Sequence, residues 1–172
     1  MTKQTTFKGR AWVVKTPDVD TDMIFHNSHL HITERDKMGP LTFGNLEGWK
    51  DFPKKVKSGD ILITGHNFGC GSSRQQAVDC FAALGVSAIA GESFGAIYLR
   101  NVINSGIPIL TADNILQSGI ESGDEVILDL DKSTLQCPAK GIVIQCKPFS
   151  QVQMDIYQAG DLFAYGKKMK TA

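Results

Sequence analysis

The chain has 172 residues, 42% of them hydrophobic and 21% charged, with 18 Lys plus Arg balanced by 18 Asp plus Glu. That length suits one domain, residues 1–172, with a sizeable core, and the neutral balance offers no bulk attraction to nucleic acid or an anionic membrane. No apolar run approaches the ~20 residues of a membrane span, and the first six residues lack the apolar core of a signal peptide, so a cytoplasmic protein is expected.

In chain order, residues 7–14 read as an opening strand, and Asp18, Asp20 and Asp22 then alternate between Pro17 and the pair Met23-Ile24. Alternating acids suggest a metal loop, but the Gly and distal Glu of an EF-hand are missing, and a turn capped by Asp side chains is the plainer reading. Residues 26–57 have the weakest periodicity. His26, His29 and His31 cluster there without the carboxylate or Cys that would complete a zinc set, and Thr33 to Asp36 can open a short helix. So long a segment with so little pattern suits a binding or moving part, and residues 26–50 are the candidate recognition loop.

Residues 60–64 read as a short buried strand, and Ala77, Cys80, Phe81 and Leu84 fall on one helix face. Between them lies the stretch Gly65-His66-Asn67-Phe68-Gly69-Cys70-Gly71-Ser72-Ser73-Arg74-Gln75-Gln76. Its glycines allow tight turning and close approach to a ligand. Ser73 and Gln76 have capping-box spacing, which predicts that the helix begins there. A hydroxyl, a guanidinium and helix N–H groups in one turn suit a carboxylate or phosphate, although a capped glycine-rich turn with an exposed Arg has the same spelling. A dinucleotide fingerprint requires glycine where Arg74 stands, even though Glu92 could serve as its ribose acid. The stretch matches neither a P-loop nor a hydrolase elbow.

Residues 86–90 and 107–110 read as strands, with Pro108 marking an edge or strand start. Residues 93–104 read as a helix burying Phe94, Ile97, Tyr98 and Val102 and stopped at Gly106. This alternation from 60 to 110 predicts parallel pairing in a layered α/β domain. Residues 125–129, 133–136 and 142–144 read as further strands, 151–157 as a short helix, and 160–172 as a polar-ended tail. The four cysteines, Cys70, Cys80, Cys137 and Cys146, have no cluster or zinc-finger spacing, so no metal is expected on this chain. Cys80 falls on the apolar helix face. Cys70 is near a helix N-terminus, where a thiol pKa can fall, and His66 could serve as its base.

Several of these stretches together resemble one family. Asp20-Thr21-Asp22-x-Ile24, Asp51-Phe52-Pro53-x-Lys55-Val56-x-x-Gly59-Asp60 and Asn67-Phe68-Gly69-Cys70-Gly71-Ser72-Ser73-Arg74 are similar to the 3-isopropylmalate dehydratase small subunits, the separately encoded swivel domain of the aconitase superfamily. Glu92-Ser93-Phe94 and residues 100–108 continue the resemblance, which spans about residues 8–145.

The resemblance implies an aconitase-type swivelling β/β/α three-layer domain that is half of a hydro-lyase interconverting 2- and 3-isopropylmalate in leucine biosynthesis. It implies a [4Fe-4S] cluster on a separate large subunit and none on this chain. By the same likeness Ser72 is the base and Asp22 a supporting catalytic residue. Arg74 grips a substrate carboxylate, with Ser73, Asn67 and His31 as further substrate-binding residues and 65–74 as the active-site loop. His31 departs from the family, which carries an apolar residue there for isopropylmalate and Arg for homoaconitate. Dimethylmalate-, homoaconitate- and methylcitrate-type small subunits therefore stay open, as does a non-catalytic anion-binding module of the same fold. Self-association of the isolated chain is plausible. RNA binding lacks support, because no basic run exceeds Lys54-Lys55 or Lys167-Lys168.

Overall fold

The computed structural model describes residues 2–171. Thr6–Val14 (β1) runs parallel to Ile61–Thr64 (β2), and Ala88–Gly91 (β3) and Ile109–Thr111 (β4) continue that parallel half outward. On its other side β1 pairs antiparallel with Glu125–Asp129 (β5), followed by Thr134–Cys137 (β6) and Ile142–Gln145 (β7). The seven strands form one mixed sheet in the order β4-β3-β2-β1-β5-β6-β7. Pro108 stands just before β4, an edge strand, where its missing N–H breaks no ladder bond.

Among the described residues, seven α-helices complete the fold: Thr21–Ile24 (α1), Arg35–Met38 (α2), Phe52–Lys55 (α3), Gln76–Ala83 (α4), Ala96–Asn104 (α5), Gln151–Ala159 (α6) and Leu162–Thr171 (α7). Strand alternation sorts the apolar side chains into two cores. Val14, Leu62, Ile89 and Ile109 face one core, which they share with Ala77, Val78 and Phe81 of α4 and Tyr98 and Val102 of α5. Their neighbours Val13, Ile61, Ile63, Ala88, Ala90 and Leu110 face the other, together with Val126, Leu128 and Leu135 of the antiparallel half. The sheet therefore curls so that its two halves share a core, with helices on the outer face of the parallel half. This is the β/β/α layering of the expected α/β class.

Residues 26–57 are more ordered than their periodicity suggests. They form short helical pieces and tight turns that bury Met38, Phe43, Leu46 and Phe52, all below 5% exposed. Phe43, Trp49 and Phe52 meet edge-on or tilted, and Phe43 and Phe52 also touch Phe81 of α4. One-turn pieces are too short to print a helical period. Two further expectations are corrected. The tail from Gly160 contains α7 and is helical to Thr171, while Ala172 lies outside the described residues. Ile97 is 45% exposed, because the helix begins at Ala96 and turns Tyr98 and Val102, not Ile97, toward the core.

Among the described residues, no helix is long and apolar enough to cross a membrane.

Candidate active site

The site is assembled where the 18–27 segment runs beside the glycine loop. Short parallel bridges join Asp20 to Cys70 and Phe68 to Phe94, and three backbone bonds fasten the two stretches: Asp18 N–H to His66 O at 3.0 Å, Gly69 N–H to Val19 O at 2.7 Å and Thr21 N–H to Cys70 O at 2.9 Å. Gly69 has φ +75°, and a Cβ there would lie 2.2 Å from Cγ of Tyr98, so only glycine fits. Asp20 caps α1, accepting from the N–H groups of Asp22 and Met23, as expected for a turn capped by aspartate.

Arg74 and Asp22 are the charged centre. Arg74 Nη1 donates to Asp22 Oδ1 at 2.9 Å and to the Phe25 carbonyl at 2.6 Å, and its side chain is 10% exposed. Its remaining nitrogens make no hydrogen bond within the described residues, which leaves one edge of the guanidinium for a ligand. Asp22 Oδ1 also accepts from the Asn27 N–H at 2.9 Å, and Oδ2 accepts from Asn45 Nδ2 at 3.2 Å. The hydrogen bond from Arg74 is the main reason that the Asp22 carboxyl is held below the usual carboxylate range. Asp22 is thus an ionised anchor for Arg74.

Ser72 is exposed. The Thr21 hydroxyl donates to its carbonyl at 3.0 Å and lies 3.5 Å from its Oγ, so buried Thr21 fixes the serine's backbone. The Ser73–Gln76 capping box does not form. The helix starts at Gln76 with Gln75 at the uncapped N-cap position, after Arg74 has turned back toward Asp22. Ser73 Oγ instead accepts from Asn101 Nδ2 of α5 at 3.5 Å, and the Gln76 amide reaches the Leu30 carbonyl. Asn67, at φ +54°, donates its amide to Asp18 Oδ1 at 2.8 Å and its N–H to Ser93 Oγ at 2.7 Å, so it shapes the loop. His31 is exposed and bonded to none of these residues.

Cys70 does not meet the expectation of an activated thiol. Burial and the charges of Asp20 and Asp18 push its pKa up, its Sγ faces the Asp18 carbonyl at 3.5 Å, and His66 Nδ1 pairs with Ser93 Oγ. Burial pushes Cys80 up to about 12 and Cys146 to about 11. Cys80 lies in one core, while Cys137 and Cys146 lie in the other. Among the described residues, no three His, Cys, Asp or Glu side chains are grouped to hold a metal, so this donor set does not fit an iron–sulfur cluster.

Residues 5–114 match the aconitase C-terminal domain family. The chain belongs to that family. Among its relatives, the 3-isopropylmalate dehydratase small subunit of Caldicellulosiruptor saccharolyticus is 38% identical over 94% of this chain and 91% of its own length. The methanogen homoaconitase small subunit of Methanocaldococcus jannaschii is 39% identical over 89% of this chain and 87% of its own. The solved structure of a 3-isopropylmalate dehydratase from the same organism superposes with a TM-score of 0.87 at 37% identity, covering 96% of both chains. The Asp-Thr-Asp turn and the Gly-Ser-Ser-Arg loop meet through Arg74–Asp22 and Thr21–Ser72. Thr21, within the first of these motifs, bonds Ser72, and Asn45 and Asn101 join them with no local sequence signal.

Proposed function

We propose that this chain is the small subunit of a two-subunit hydro-lyase that interconverts 2- and 3-isopropylmalate. In this reading, a separate large subunit carries the iron–sulfur cluster and supplies Lewis-acid chemistry at the substrate hydroxyl. The observation that carries the reading is the Arg74–Asp22 pair beside Ser72, in a chain similar to such small subunits along nearly its whole length.

Each residue then has a task. The open edge of the Arg74 guanidinium grips a substrate carboxylate, and Asp22 with the Phe25 carbonyl fixes the plane of that fork. Ser72 Oγ removes the proton from the carbon next to the carboxylate. In water a serine hydroxyl is too weak an acid for this. Closure against a partner would strip water from the exposed loop, and the positive charge of Arg74 would then favour the alkoxide. Thr21 keeps Ser72 in place throughout. The similarity to a homoaconitase small subunit keeps a malate with a carboxylate-bearing substituent as the alternative substrate.

The test is anaerobic reconstitution with the cognate large subunit, iron and sulfide, followed by enoate absorbance on isopropylmalate, dimethylmalate, homocitrate and methylcitrate. Turnover should require both chains, and Ser72→Ala should lower kcat about 10²–10⁴-fold with the complex intact. Near-normal rates in that variant would remove Ser72 from the proton transfer.

A further inference from the structure

We infer that His26 is a substrate-binding residue, donating its Nε2–H to the carboxylate-bearing ligand gripped by Arg74; the inference rests on the function proposed above. His26 follows Phe25, the residue whose carbonyl accepts from Arg74, so its backbone is fixed beside the guanidinium. Its ring is held as well. Nδ1 accepts from the Ser28 N–H at 3.2 Å, lies 2.8 Å from Ser28 Oγ, and so caps the turn Asn27–His29. The ring also packs edge-on against His29, which in turn packs on Phe25.

An imidazole whose Nδ1 accepts from a backbone N–H carries its neutral-state proton on Nε2. That Nε2 lies 3.8 Å from Asp22 Oδ2, near the carboxylate but beyond hydrogen-bond length. The hydrogen bonds that Asp22 does accept come from Arg74, the Asn27 N–H and Asn45. Among the described residues the Nε2–H of His26 makes no hydrogen bond, and neither does the open edge of Arg74, so both donors are left for a ligand at this turn. The Asp22 charge offsets that of Arg74, so an anion entering here gains from a second donor. His31, five residues on, makes no such approach.

The discriminating variant is His26→Asn. Asn is a strong N-cap residue and can still accept from the Ser28 N–H, but it lacks the Nε2–H and the reach of the ring. In the reconstituted complex KM should rise about 10–100-fold, with kcat within about twofold, as for a lost hydrogen bond to a charged group. In the full chain alone, ¹⁵N NMR at neutral pH should show His26 with its proton on Nε2. An unchanged KM in the variant, or a neutral ring protonated on Nδ1, overturns the inference. A wild-type complex that turns over none of the substituted malates overturns the proposed function, and the role of His26 with it.

Discussion

Asp60, at the foot of β2, accepts three hydrogen bonds on one oxygen: from Arg10 Nη2 at 2.8 Å, Trp12 Nε1 at 2.7 Å and the Lys57 N–H at 2.9 Å. Burial to 5% exposure pushes its pKa upward, but the three donors outweigh it and the carboxyl titrates below its ordinary value. A carboxyl depressed in the folded state stabilises fully above its unfolded pKa of about 3.9, and that stability is lost as pH falls through the lower folded value. Asp60→Asn should therefore cost about 1.5–3 kcal/mol in urea unfolding at pH 7. The gap from wild type should narrow as pH falls below about 4. A gap that stayed constant from pH 7 to pH 3 would show that the ionised form of Asp60 contributes nothing.

The glycine loop makes a sharper demand on its residues than its spelling reveals. Gly69 and Gly71 both have positive φ, but a Cβ at Gly69 would lie 2.2 Å from the buried Tyr98 ring, whereas at Gly71 the nearest atom is 3.5 Å away. Gly71→Ala should cost only the backbone strain, about 1–2 kcal/mol. Gly69→Ala adds overpacking of about 1–3 kcal/mol and should also displace Ser72 and Arg74, lowering kcat/KM. Equal urea midpoints for the two variants would contradict this. That Ser72 and Arg74 share one turn ahead of a helix was legible in the sequence because the loop is contiguous, and strand 125–129 because its pattern is local. The contact of Thr21 with Ser72 and the approach of Asn45 and His26 to Asp22 were not, because only the bridges between residues 18–21 and the loop, and the short turns of 26–57, bring them together. The tail helix α7 was missed because Gly166 and three lysines within Leu162–Thr171 dilute its apolar period.

Across the whole molecule, the two cores are not independent, because β1 to β4 contribute alternate side chains to both. Leu62 faces the helices while Ile61 and Ile63 on either side face the antiparallel half, so neither core can loosen without moving the strands of the other. Both tryptophans, Trp12 and Trp49, pack against the helical side only. Their fluorescence thus reports on one core, whereas far-UV circular dichroism reports on the backbone as a whole. Ile63→Ala removes a side chain 1% exposed from the core that the tryptophans do not line, at an expected cost of about 2–5 kcal/mol. Because the strands are shared, the fluorescence midpoint in urea should fall by as much as the dichroism midpoint, and the two curves should overlay in both proteins. If fluorescence kept its wild-type midpoint while dichroism shifted, the cores would unfold separately. Curling one sheet over two cores would then not make them a single cooperative unit.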